Sequence, residues 1–96
     1  MRPSEALERH RDDIRRVVEQ NRATNPRVFG SVLHGKDTDE SDLDILVDTV
    51  SGTNLFDLAR IKGSLEDLLN VPVDVRTPLD LPEKFRFKVL AEATPV

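Results

Sequence analysis

The sequence contains no cysteine, which excludes a disulfide framework and any metal site built on thiolates. It has no apolar stretch long enough to span a bilayer, and the first residues lack the apolar run of a secretion signal. Basic residues are also in the minority, with 14 lysines and arginines against 18 aspartates and glutamates. This balance disfavours general nucleic-acid binding, which needs a basic surface. We therefore expect a cytoplasmic protein that binds neither a membrane nor, directly, a nucleic acid.

The length and the composition predict one small folded unit. A chain of 96 residues has room for one modest core, so we expect a single domain over 1–96. Apolar residues make up 38% of the sequence and recur periodically, which is typical of a folded globular chain.

The first half of the chain predicts a helix followed by two strands. Apolar residues at helical spacing indicate a helix that begins at the N-cap Ser4 and reaches about Asn21. A short strand over 27–31 follows, and strict alternation predicts a second strand over 42–48. Leu43, Ile45 and Val47 share one face of that strand.

The second half predicts a helix, a strand and a final helix. The first of these helices follows the turn residues 51–54 and contains Gly63, which costs about 1 kcal/mol there, so we expect a closely packed neighbour. The third strand spans 71–75, and a crossover of this length favours its parallel pairing with the second. Asp80 and Glu83 have the spacing of a capping box for the last helix. Its inward face would hold Phe85, Val89, Leu90 and Ala93. The whole is an α/β fold with three strands and helices packed on them.

The stretch Val28–Ser31 has the character of a phosphate-binding turn. A buried strand would end at Gly30, where glycine permits a sharp turn and close approach to a ligand. The next residues can form about one turn of helix before Gly35, leaving free N–H groups above Gly30 and Ser31. Such a turn suits an anion.

Three carboxylates are candidates for a divalent metal site. Asp42 and Asp44 leave the same face of the second strand, about 6–7 Å apart at Cα, within reach of one hard cation. Parallel pairing of the next strand brings Asp74 beside them. Arg76, on the same face as Asp74, is either a cation beside that carboxylate or an ordinary surface arginine. Asp48, at the far end of the second strand, is interpreted as a turn residue.

Simpler interpretations exist for each feature. Asp42 and Asp44 could line the exposed face of an edge strand, and Gly30-Ser31 could be an ordinary turn. Asp37 and Asp39 stand where a calcium loop would begin, but a strand starts where that loop needs glycine, so they are interpreted as charges of a solvated loop. The combination at fixed spacing favours the site.

The chain resembles the DNA polymerase beta-like nucleotidyltransferase superfamily, whose signature is Gly-Ser-x10-Asp-x-Asp. The matching residues are Gly30-Ser31 and, after ten residues, Asp42-Leu43-Asp44. The short chain and Asp74 are most similar to its minimal nucleotidyltransferase (MNT) group, many of whose members are antitoxins paired with HEPN toxins. The resemblance covers the chain from about Pro26 onward and implies an αβαβαβα core with a mixed sheet. Many relatives have an arginine near the end of the turn, where this chain has His34.

The resemblance also implies roles for the candidate residues. Asp42, Asp44 and Asp74 would be catalytic and would bind Mg²⁺, with two ions expected, and Asp74 would help to activate the acceptor hydroxyl. Gly30 and Ser31 would hold the β- and γ-phosphates of ATP. The implied activity belongs to the EC 2.7.7 type, protein adenylylation, in which AMP passes to a tyrosine of a cognate HEPN ribonuclease toxin. Two alternatives stay open. The first is an antitoxin that has a vestigial catalytic site and acts only by binding and occluding its toxin. The second is a transferase that modifies the hydroxyl of a small molecule.

Overall fold

Four strands form one mixed sheet in the computed structural model, which describes all residues from Met1 to Val96. The strands are Ala23–Phe29 (β1), Leu43–Thr49 (β2), Val73–Arg76 (β3) and Thr94–Pro95 (β4). They lie in the order β3-β2-β1-β4, and β2 pairs parallel with β3 and antiparallel with β1. The predicted α/β class, mixed sheet and parallel pairing are confirmed. The predicted count of three strands is wrong, because the two residues of β4 are too few to show any alternation.

The strand β1 begins earlier than the predicted 27–31 and ends at Phe29, where Gly30 starts a helix. Its pairing with β2 is irregular between Thr24 and Arg27, and Asn25 in that interval has a left-handed φ of 53°. Asparagine tolerates this conformation better than most residues. The irregularity accommodates Pro26, so the strand continues through a residue that was expected to precede it.

The chain forms five α-helices. They span Pro3–Arg9 (α1), Arg11–Gln20 (α2), Gly30–Leu33 (α3), Leu55–Leu69 (α4) and Glu83–Glu92 (α5). The single helix predicted from Ser4 to about Asn21 is wrong, because the backbone leaves the helical region at His10. Nor is Ser4 the N-cap of α1: Arg2 holds that position, and the backbone N–H of Ser4 donates to Asp37 Oδ2 at 2.9 Å. No helix combines the length and the apolar composition needed to cross a bilayer.

The core lies between one face of the sheet and the helices α1, α2 and α4. Leu43, Ile45 and Val47 are fully buried there, as their alternation predicted. They pack in one cluster with helix residues such as Ile14 and Ile61. On the opposite face Leu46 is also fully buried, and the 3-10 turn Pro78–Asp80 packs against β2. The core thus covers one face of β2, and on the other face Leu46 is buried while Asp44 and Asp48 are partly exposed.

The helix α4 begins where the turn residues predicted. The side chain of Asn54 accepts from the backbone N–H of Asp57, and the Asp57 carboxylate accepts from that of Asn54, which completes a capping box. Asn70 ends the helix in the left-handed conformation. The neighbour expected against Gly63 is absent, because Gly63 is exposed and a Cβ there would meet nothing within 4 Å.

The last helix, α5, does not pack as predicted. It has no buried residue, and Phe85 is 51% exposed and Leu90 37% exposed. Its apolar residues are spread around the helix and form no single stripe that the sheet could cover. The capping box predicted from Asp80 to Glu83 is also wrong, since Asp80 pairs instead with Thr77 at the preceding 3-10 turn.

Candidate active site

The turn between β1 and α3 has the predicted form. Gly30 follows the strand directly with a φ of +74°, a conformation that favours glycine, and Ser31 lies in the single helical turn after it. Val32 is buried and anchors this turn to the core. The N–H groups of a helix's first turn have no partner inside the helix, so they are available to an anion.

The turn lies directly against the acidic strand. Phe29 is the pairing partner of Asp44 across β1 and β2. A Cβ added at Gly30 would lie 3.0 Å from Cγ of Asp44 and closer still to its Oδ2. The absence of a side chain at Gly30 therefore makes room for the Asp44 carboxylate, and the two sequence features that were expected to share a site are in van der Waals contact.

The strands β2 and β3, which carry the candidate carboxylates Asp44 and Asp74, are paired in register. Asp44 of β2 is paired with Asp74 of β3, as parallel pairing predicted, and both side chains are partly exposed. Asp42 precedes β2 by one residue and is exposed. No three acidic, histidine or cysteine side chains gather closely enough to hold a metal ion. The structure therefore brings Asp44, Asp74 and the turn together, with Asp42 at their margin.

The charges in this group perturb one another. Burial, together with the negative charges of Asp74 and Asp42, raises the pKa of Asp44 to about 6, against the opposing effect of Arg76. Arg76 Nε donates to Asp74 Oδ2 at 2.9 Å, and this hydrogen bond raises the pKa of Arg76. Three neighbouring carboxylates share one arginine, so the site carries an excess of negative charge that a cation would neutralise.

The donor set fits a hard divalent cation. Carboxylate oxygens are the ligands that Mg²⁺ prefers, and Asp44 and Asp74 present them from neighbouring strands that the sheet holds in place. The raised pKa of Asp44 records an unfavourable charge that such an ion would relieve. The metal-binding roles of Asp42, Asp44 and Asp74 stay predictions, as do the phosphate-binding roles of Gly30 and Ser31.

Two acidic residues outside the site differ from their predicted roles. Asp37 was interpreted as a charge of a solvated loop, but it is 6% exposed and accepts the hydrogen bond from Ser4 of α1. Asp48 was interpreted as a turn residue, but it lies within β2, where Arg27 Nη2 donates to it at 2.5 Å. Both contacts join segments that are distant in sequence, so local spacing gave no signal for them.

One contact near the turn was not predicted. His34, at the end of α3, lies with its Nε2 3.1 Å from Oε2 of Glu92, at the end of α5. No pattern in the sequence relates Glu92 to His34. The pair ties the far end of α5 to the candidate phosphate turn.

Comparison with known proteins gives consistent results. A family model described as "Nucleotidyltransferase domain" matches residues 8–96. Among curated proteins of Methanocaldococcus jannaschii, "Putative protein adenylyltransferase MJ0435" is 38% identical over 69 residues, which are 72% of this chain and 74% of that protein. "Putative protein adenylyltransferase MJ0126" is 32% identical over 73 residues, 76% of this chain and 71% of that protein.

Solved structures share the fold. One described as "Structure of putative minimal nucleotidyltransferase" superposes with a TM-score of 0.86 at 40% identity, and the match covers 97% of this chain and 95% of that one. Another, "Crystal structure of the toxin-antitoxin with AMP-PNP", has a TM-score of 0.73 at 19% identity and covers 88% of this chain and 69% of that one. The second likeness concerns the fold alone.

Proposed function

Because the chain belongs to the nucleotidyltransferase domain family and is a minimal nucleotidyltransferase of the DNA polymerase beta-like superfamily, we propose that it transfers AMP from ATP to a protein hydroxyl. One observation carries the proposal. The backbone at Gly30 leaves room for the carboxylate of Asp44, which is itself in register with Asp74. An anion-binding turn beside paired carboxylates is the arrangement that a metal-bound triphosphate requires.

Each residue has a proposed part in the reaction. Gly30 and Ser31 hold the β- and γ-phosphates, and Asp42, Asp44 and Asp74 hold two Mg²⁺ ions. The acceptor oxygen bonds to the α-phosphorus, the bond from that phosphorus to the β-phosphate oxygen breaks, and pyrophosphate leaves. Asp74 helps to take the proton from the acceptor hydroxyl. The ions, when bound, supply neutralisation of the carboxylates and of the phosphate charge.

The proposed acceptor is a tyrosine of a cognate HEPN ribonuclease toxin, with the chain as its antitoxin. Two observations support a protein acceptor. The related archaeal proteins carry the name protein adenylyltransferase, and toxin–antitoxin complexes are among the structures with this fold. The bound AMP-PNP named for one of those complexes supports an adenine nucleotide as the donor.

The direct test is incubation of the protein with Mg²⁺, the product of the adjacent gene and ATP labelled at the α-phosphate. We expect label on the partner protein, and none when the label is on the γ-phosphate, because that phosphate leaves in pyrophosphate. Asp44→Asn should slow labelling by about 10³-fold or more, since several kcal/mol of charge stabilisation are lost.

Asp48→Asn is the matched control, because Asp48 lies on the same strand, outside the proposed site. It should label the partner at close to the wild-type rate. If Asp42→Asn and Asp44→Asn both leave label transfer unchanged, the proposed metal ligands are wrong.

A second candidate function is neutralisation of the toxin by occlusion alone. The exposed aromatic side chains of α5, with Phe87 91% exposed, favour a protein that binds a partner. Co-expression separates the two functions. An Asp42→Asn/Asp44→Asn double variant that still protects cells from the toxin supports occlusion, and loss of protection supports modification.

A further inference from the structure

We propose that Arg76 is a positioning residue that holds the third carboxylate, Asp74, in the metal-free protein and releases it when a divalent cation binds. The inference rests on the proposed function, because it concerns access to the same metal site. It adds to that function a condition under which Asp74 becomes available to the metal ion.

The contact between the two side chains is direct. Arg76 Nε donates to Asp74 Oδ2 at 2.9 Å, and Nη1 donates to the backbone oxygen of Asp80 at 3.4 Å. The two residues are two apart on β3, so their side chains leave the same face of the strand. Asp44 is the register partner of Asp74, so the guanidinium lies at the edge where the candidate metal ligands meet.

A cation that binds Asp74 competes with Arg76 for the same carboxylate. One of its two oxygens is already occupied by the guanidinium. Asp44 and Asp74 are in register, yet no group of three possible ligands is gathered at one point. One oxygen of Asp74 is bonded to the arginine, and Asp42 lies at the margin of the group, so the three carboxylates do not share one point.

The pair is placed where it can open. The side chains of Arg76 and Asp74 are 41% and 38% exposed, so either can turn toward solvent without disturbing the core. An exposed ion pair of this kind is weak. A divalent ion among several carboxylates interacts more strongly than a single guanidinium does, because its charge is doubled and its ligands surround it. At metal concentrations that saturate the site, replacement of Arg76 by the metal ion as the partner of the Asp74 carboxylate is therefore favourable.

The inference is tested on the full-length protein without nucleotide. Titration with Mg²⁺ is followed by the ¹⁵N resonance of the Arg76 Nε–H, and Mn²⁺ binding is followed by electron paramagnetic resonance. We expect the Arg76 resonance to shift or exchange away with the same Mg²⁺ dissociation constant that is obtained when Mg²⁺ displaces bound Mn²⁺. Arg76→Gln should bind Mn²⁺ about ten-fold more tightly than the wild type, because a competing unit charge beside the ligands is gone.

Arg16→Gln is the matched control. Arg16 also forms a surface ion pair with an aspartate, Asp13, at 2.8 Å, but it lies on α2, so its loss removes the same charge away from the site. Its Mn²⁺ affinity should stay within about two-fold of the wild type, as expected for a remote screened charge.

The possible failures are distinguishable. Metal binding that saturates while the Arg76 Nε–H resonance stays unchanged, or equal Mn²⁺ affinity in Arg76→Gln and Arg16→Gln, overturns the role of Arg76 and leaves the proposed function standing. If the wild type shows no saturable metal binding, or if Asp44→Asn does not weaken that binding, both the role of Arg76 and the proposed function are overturned.

Discussion

Among single residues, Gly30 joins the two halves of the candidate site. Gly30→Ala introduces a Cβ that collides with the Asp44 carboxylate, in addition to the strain of a positive φ. Gly35→Ala is the matched control, because Gly35 has a similar φ of +69° but open space around it. The control should cost about 1 kcal/mol of unfolding free energy from the backbone alone, and Gly30→Ala should cost about 1–3 kcal/mol more. Urea denaturation measures both.

A second variant separates collision from strain. Asp44→Ala removes the carboxylate that the new Cβ would meet, so Gly30→Ala should be less destabilising in that background than in the wild type. Equal losses in the two backgrounds would show that Gly30 and Asp44 are not in contact.

The raised pKa of Asp44 makes a pH-dependent contribution to stability. Its pKa is about 6 in the folded protein, against 3.8 for an unperturbed aspartate. Between these values the folded state binds more protons than the unfolded state, so this contribution to the unfolding free energy falls as pH rises. A shift of about two units corresponds to ~3 kcal/mol for a fully buried group, and solvent screening at the partly exposed Asp44 reduces this to about 1–2 kcal/mol, fully expressed above about pH 7.

The measurement is the difference between the wild type and Asp44→Asn, because other carboxylates add their own pH dependence. The variant should be more stable than the wild type at pH 8, and the advantage should disappear near pH 4. Mg²⁺ should reduce the advantage at pH 8 by stabilising the wild type. A difference that does not change with pH would contradict the raised pKa.

The sequence predicts where a candidate residue lies in the fold when the signal is local. Gly30 before a short helix and Asp44 on the partly exposed face of β2 follow from turn chemistry and alternation. Asp42 was predicted to lie on the same strand, but it lies one residue before β2. The position of Asp74 follows from the crossover rule, because a strand–helix–strand unit fixes which strands are neighbours. The contact of His34 with Glu92 has no local signal, since it depends on where α5 ends in space.

Among the elements, α1 depends on a residue far along the chain. Asp37 accepts the backbone N–H of Ser4 in the first turn of α1, where N–H groups lack partners within the helix. Burial alone would raise the pKa of Asp37, but the hydrogen bonds from Ser4 outweigh it and hold the pKa below its ordinary value. The carboxylate is therefore well bonded in the folded protein.

Asp37→Ala should lower the unfolding free energy by about 1–2 kcal/mol and speed hydrogen exchange at the Ser4 amide, because a capping interaction is lost. Asp37→Asn retains an acceptor oxygen and should recover most of the stability. Asp39→Ala in the same loop changes an exposed side chain, 78% accessible, and should stay within about 0.5 kcal/mol of the wild type. A loss as large in Asp39→Ala would contradict the capping role.

Elements are predictable from sequence where burial enforces a pattern. β2 and α4 were located correctly, because their apolar residues face one core. α5 was expected to pack, but its apolar residues are spread around the helix and form no single stripe that the sheet could cover. The interruption at His10 was missed because the apolar residues on both sides fit one helical register.

For the molecule as a whole, stability comes from one core on one face of the sheet. Ile45→Val trims a fully buried side chain and should cost about 0.5–1.5 kcal/mol. Phe87→Ala removes a much larger side chain, but one that is 91% exposed, so the change should stay within about 0.5 kcal/mol. The unfolding free energies of the two variants are compared from the midpoints of urea denaturation, with one common m value for both. A greater loss in Phe87→Ala than in Ile45→Val would place α5 within the core.

The strand order also determines when the edge of β1 is paired during synthesis of the chain. β1 lies between β2 and β4, and β4 is the last strand along the chain. During synthesis β1 is made before β4, and the part of its outer edge at Arg27 and Val28 stays open until residues 94–95 are available to pair with it. Open sheet edges recruit other chains. A nascent chain stalled before that point is therefore a candidate for chaperone capture or degradation.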